Sequence, residues 1–145
     1  MDITSKFGER LADLMYEKGI TPETLSDALP IALSIVYRYL RKEILPSTTT
    51  AVRIADYFKC PLDYLFGLRD EYAPSEFSKP KPFSQRFKKI LDEKGLTRYR
   101  LKKETKLAKQ SVDDWYHGVR NPTVDNIIVL ARYFDCSIDY LIGRE

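Results

Sequence analysis

The side chains in this sequence that could do covalent or acid–base chemistry are few and scattered. There is one histidine, His117, and two cysteines, Cys60 and Cys136, with no CxxC pair. A conventional zinc site or a Cys–His nucleophile therefore has no motif to assemble from. Asp113 and Asp114 are adjacent acids, but neighbours on a helix point about 100° apart, so they do not make a dyad. No glycine-rich phosphate loop is present. These features predict a protein that is not an enzyme and that uses no metal and no cofactor.

Charge is more informative than reactivity. The formal net charge is only +3, but it is unevenly spread. Residues 1–76 carry nine Lys/Arg against twelve Asp/Glu, and residues 77–145 carry fifteen against nine. A net of +6 on the second half is the electrostatic footprint of a polyanion binder, which the first half lacks.

The elements that must position those charges emerge when the chain is compared with itself. Shifted by 76 positions, residues 7–69 align with 83–145 without a gap, and 18 of the 63 pairs are identical. Among them are Phe7/Phe83, Arg10/Arg86, Gly19/Gly95, Thr21/Thr97, Leu25/Leu101, Val36/Val112 and Pro46/Pro122. The last stretch is densest, with Tyr57-Phe58/Tyr133-Phe134, Cys60/Cys136, Asp63-Tyr64-Leu65/Asp139-Tyr140-Leu141 and Gly67/Gly143. The chain is an internal duplication. Its cysteines fall at equivalent positions and read as small buried hydrophobes rather than as a disulfide framework.

Three segments follow: a first module over 1–69, a proline-rich linker over 70–82, and a second module over 83–145. Pro74, Pro80 and Pro82 disfavour helix in the linker and favour an extended, semi-rigid connector, on which Tyr72 and Phe77 are candidates to dock. Each module reads as five short helices. The first covers about 7–18 and 83–94, with Phe7, Leu11, Leu14 and Met15, or Phe83, Phe87, Ile90 and Leu91, forming an amphipathic stripe. Gly19 and Gly95 end it. The second starts at the N-caps Thr21 and Thr97. The third covers about 33–41 and 109–117, the fourth follows the caps Ser47 and Thr123, and the fifth covers 62–66 and 138–142. No strand of useful length is foreseen, so the fold class is all-α. No apolar run approaches the ~20 residues that span a bilayer, and the N-terminus lacks a signal-peptide pattern. The expected location is cytoplasmic, with no membrane partner.

The run Glu93-Lys94-Gly95-Leu96-Thr97, then Leu101 and Val112, then Trp115 to Thr123, and finally Leu130 to Gly143, resembles the Cro/C1-type (XRE-type) helix-turn-helix family. The first module matches in 17–21 and 54–67 but poorly between. The resemblance implies two five-helix helix-turn-helix modules in tandem and double-stranded DNA as the partner. The third helix enters the major groove while the second helix and nearby loops hold phosphates. Carried over by position, Lys109, Gln110 and Asp114 are base-edge candidates, Arg98 is the phosphate clamp, and Ser111, Arg120 and Asn121 are backbone contacts.

Departures from the family pattern are specific. The usual Ser or Thr cap of the third helix is Ala32 or Ala108. An Arg on the first helix and a Glu on the third, paired in many members, are Met15 and Leu40, or Leu91 and Tyr116. In the first module Leu33 and Tyr37 occupy places expected to face DNA, which points to a degenerate reader or a protein-binding surface. Arg38 and Arg41 keep it a DNA-contact candidate. The function expected is a sequence-specific transcriptional regulator, with the second module reading DNA and the first serving homodimerisation. The alternative is an interaction adaptor or antitoxin-like partner.

Overall fold

The computed structural model describes residues 2–145, and all regular structure among them is α-helical. Two compact units divide between Glu76 and Phe77. In the N-terminal unit the helices are α1 (Ile3–Lys18), α2 (Pro22–Ala28), α3 (Leu33–Leu40), α4 (Thr48–Phe58) and α5 (Leu62–Leu65). In the C-terminal unit they are α6 (Phe83–Lys94), α7 (Arg98–Glu104), α8 (Lys109–His117), α9 (Val124–Phe134) and α10 (Ile138–Ile142).

Helix starts follow local chemistry. Thr21, Ser47, Thr97 and Ser137 each accept a hydrogen bond from the backbone N–H three residues on, satisfying a donor the helix itself leaves open. Two expectations need correcting. α1 begins at Ile3 rather than near Phe7, because Asp2 caps Ser5 N at 2.8 Å. Thr123 makes no side-chain cap bond to α9, and its hydroxyl is turned to Asp125 Oδ1, to which it donates at 2.5 Å. Ala32 and Ala108 provide no side-chain cap.

Each unit closes on one apolar core. Phe7, Leu11, Leu25, Val36, Ile54 and Leu65 are fully buried in the first, and Phe87, Ile90, Leu101, Val112, Leu130 and Leu141 in the second. Each such side chain contributes about 1.5–3 kcal/mol. Trp115, 2% exposed, packs edge-on to Phe87 at 6.4 Å. Cys60 is buried and Cys136 half-buried.

One arginine shared by both repeats ties the first helix to the fifth or to the chain just after it. Arg10 reaches Asp70 at 3.1 Å and stacks over Tyr64 at 4.6 Å. Arg86 donates to the carbonyls of Tyr140 and Leu141 and stacks over Tyr140 at 4.9 Å.

Residues 70–82 contain no helix, but they lie on the units rather than standing free. On the first unit Tyr72 packs against Tyr64 at 4.5 Å, Ser75 N donates to Lys59 O, and Glu76 pairs with Lys59 at 2.9 Å. On the second, Ser78 N donates to Arg144 O at 2.7 Å and Lys81 N to Ile142 O at 3.2 Å. The Phe77 ring covers the Arg144 guanidinium at 4.0 Å. Tyr72 and Phe77 are the two aromatic side chains of this segment, and each docks on its own unit. No helix among the described residues is long and apolar enough to cross a membrane.

Candidate nucleic-acid interface

The surface of α7, α8 and the turn after α8 concentrates the basic charge. Residues 97–123 carry seven Lys/Arg against three Asp/Glu, whereas the equivalent 21–47 carry three against three. Local bonds fix how α7 meets α8. Thr105 Oγ1 donates to Leu101 O at 2.7 Å and accepts from Leu107 N at 3.3 Å, which sets the turn between them. Val112 and Trp115 then point into the core, so helical periodicity leaves Lys109 and Gln110 exposed, with Ser111 half-buried beside them.

Three cationic side chains from outside α8 hold its two acids. Asp113 accepts from Arg98 at 3.0 Å and from Lys102 at 2.7 Å. The hydrogen-bonded Lys102, with Arg98 beside it, holds the Asp113 carboxyl below the usual carboxylate range. Asp114 accepts from Gln110 Nε2 at 3.0 Å and pairs with Arg120 Nε at 3.0 Å. Arg120 also donates to Ser111 Oγ at 2.8 Å. The adjacent acids therefore point to different partners and share no site, as their spacing on a helix requires.

Arg98 lies inward as well as outward. Its guanidinium stacks on Tyr116 at 4.0 Å, faces His117 Nε2 at 3.2 Å, and its side chain is 34% exposed. Lys88 of α6 approaches the same Tyr116 ring at 4.9 Å, and Phe87 meets it edge-on at 6.3 Å. With Leu91 buried at 4%, aromatic and apolar packing fills the place of the Arg–Glu pair that many family members carry. Asn121 is exposed just beyond Arg120.

The same face of the first unit is built differently. Leu33 and Tyr37 are 36% and 38% exposed, and the Tyr37 hydroxyl donates to Glu23 at 3.0 Å. That bond raises the Tyr37 hydroxyl pKa and helps hold the Glu23 carboxyl below its usual value. Arg38 and Arg41 both turn to Glu43, at 3.4 and 2.5 Å, and the hydrogen-bonded Arg41 lowers the Glu43 carboxyl. Every candidate cation here already has an acid beside it.

Sequence reasoning named the exposed residues of α8 but missed Lys102 and Asp113 as a linked pair. The signal was there in the basic run of α7, Arg98, Arg100, Lys102 and Lys103, on the helix that packs against α8.

This arrangement, two helices joined by a tight turn with the second carrying an exposed polar edge, defines a helix-turn-helix protein. A helix-turn-helix family model matches the chain twice, over residues 11–65 and 87–141. The chain belongs to the Cro/C1-type helix-turn-helix family, with two copies in tandem. It is also similar to an uncharacterized HTH-type transcriptional regulator, YobD, of Bacillus subtilis (strain 168), with 30% identity over 61 residues. That match covers 42% of this chain and 54% of the relative, so the chain spans about half of that relative's length. No solved structure matches.

Proposed function

We propose that this protein is a sequence-specific DNA-binding transcriptional regulator whose C-terminal unit reads the duplex. The observation that carries the proposal is the exposed N-terminal edge of α8. It sets Lys109 and Gln110 outward on a basic surface, in the position from which a recognition helix meets base edges. Lys109 donates to guanine, and Gln110 pairs with adenine through one donor and one acceptor. Arg98, Ser111, Arg120 and Asn121 border that edge and take phosphates or neighbouring bases.

The N-terminal unit has a different part in this proposal. Its equivalent face carries the exposed Leu33 and Tyr37, with Glu23 of α2 bonded to Tyr37 and with Arg38 and Arg41 both turned to Glu43. An exposed apolar pair on a face whose charges are already paired is a surface on which two copies can meet across a two-fold axis. This unit pairs two chains, and Arg38 and Arg41 contribute little to DNA.

Selection from a random duplex library tests the reading. A palindromic motif supports a dimer with two half-sites ~34–36 Å apart, and a direct repeat supports both units reading in tandem. No enrichment, with no salt-sensitive binding, favours the adaptor. Replacing Lys109 and Gln110 by Ala lowers specific affinity more than replacing Leu33 and Tyr37; equal losses refute the division of labour.

A further inference from the structure

Asp114 stands on the reading face of α8 but is not built to read. We infer that it is a positioning residue that couples Gln110 and Arg120 into one purine-reading unit. The inference rests on the proposed function and deepens it.

The coupling begins with backbone geometry. Gln110 and Asp114 are four residues apart, so their side chains lie one above the other on one face. After α8, Gly118 takes φ +73°, a left-handed conformation that costs glycine nothing. The chain reverses there, with Val119 N donating to Asp114 O at 2.8 Å. The reversal carries Arg120 back over the face that holds Ser111 and Asp114.

The donors divide in a specific way. Arg120 spends its side edge inward, Nε on Asp114 Oδ2 at 3.0 Å and Nη2 on Ser111 Oγ at 2.8 Å. Guanidinium has five N–H donors, so the Nη1/Nη2 end keeps its planar fork for an outside pair of acceptors. Guanine O6/N7 and two phosphate oxygens both present such a pair. Gln110 spends one Nε2–H on Asp114 Oδ1. A flipped amide would set oxygen against carboxylate oxygen, so Asp114 fixes which end of the amide faces it. One N–H and the carbonyl oxygen remain, the donor and acceptor that adenine requires. Asp114 itself, 17% exposed and engaged through both oxygens, is turned to its neighbours instead of to a cytosine amine.

The test compares the full chain with Asp114→Asn, and with Ser111→Ala as a second variant, by selection from a random duplex library. Thermal melting and binding to an unrelated duplex are followed in parallel. D114N is expected to lose about tenfold or more of base preference at two positions together. It should bind unrelated duplex no more weakly, because a negative charge has gone, and should melt like the parent. S111A should weaken only the position served by Arg120. If the Gln110 position alone relaxes in D114N and Arg120 shows only as a salt-slope change of about one, Arg120 takes phosphate and the two-residue reading unit is overturned. Loss of a cytosine preference alone in D114N overturns the inference in favour of direct reading. So does an unchanged motif, or a uniform loss of affinity with a lowered melting temperature. If the parent enriches no motif, the proposed function falls and this inference with it.

Discussion

Arg144 and Asp139 form a charge pair from which water is excluded: Nη1 lies 2.5 Å from Oδ1, and the side chains are 0% and 2% exposed. Breaking one side of such a pair leaves the other charge buried, at a cost of about 3–5 kcal/mol. Arg144→Ala is expected to lower the unfolding free energy by that amount in urea, read by the single tryptophan, Trp115, in the core of the same unit. Replacing both residues by leucine costs much less. Equal costs would show that packing, not charge, is at stake.

Acid should loosen the α7–α8 junction. The carboxyl of Asp113 is held below its usual value by Lys102 and Arg98. Its contribution is therefore complete above the unfolded carboxyl's ordinary value, and disappears as pH falls through the lowered one. Asp113→Asn should lack that part of the acid limb. An NMR titration of the Asp113 carboxyl with a midpoint at or above the ordinary carboxylate value contradicts this.

A missing cap can be restored. Ala108 precedes α8 with φ −62° and ψ 128° but donates no side-chain oxygen. Ala108→Ser should accept a backbone N–H of the first turn and raise stability by about 1 kcal/mol. Ser47→Ala, which removes an existing cap, should lower it by a similar amount. Denaturant midpoints at constant slope check both.

Close approach of α1 to α3 requires Gly8. A Cβ there would stand 2.7 Å from the Tyr39 backbone oxygen and 2.9 Å from Lys42 Cγ. Lysine can swing aside; the backbone cannot without moving α3. Gly8→Ala should cost about 1–3 kcal/mol, whereas Ser84→Ala, at the equivalent place in the second repeat, should stay within about 0.5 kcal/mol. Comparable effects at the two sites would refute the steric account.

Glu43 neutralises two candidate DNA contacts in the first unit. Glu43→Gln should release Arg38 and Arg41, tighten binding to unrelated duplex at low salt, and steepen the log–log salt dependence by about one to two. An unchanged slope would mean that this face does not meet phosphate at all.

Much of this architecture was legible in the sequence, for identifiable reasons. Thr97, Gly19 and Gly95 act on backbone groups within a few residues, so caps and stops could be read locally. The apolar stripe through Phe87 and Ile90 carries its own period. What stayed hidden depends on residues far apart in the chain or on competition between neighbours. The Asp139 partner of Arg144 is only five positions away, but the Phe77 ring that covers the guanidinium lies 67 positions earlier, so the burial of Arg144 had no local mark. Thr123 has the right type for a cap, but its hydroxyl is turned to Asp125 and accepts no backbone N–H of α9. Asp114 has the right type for a base contact, and only the return of Arg120 past Gly118 shows where its oxygens are spent.

The strap formed by Phe77, Ser78 and Lys81 has a practical corollary for dissecting the protein. The family match stops at residues 87 and 141, but the compact C-terminal unit, Phe77–Glu145, is larger at both ends. A fragment cloned from Phe83 sheds the ring over Arg144 and the two backbone donors that pin the tail. Excision just before Phe77 retains all three, so that cut, not the homology boundary, is expected to give the better-folded C-terminal piece.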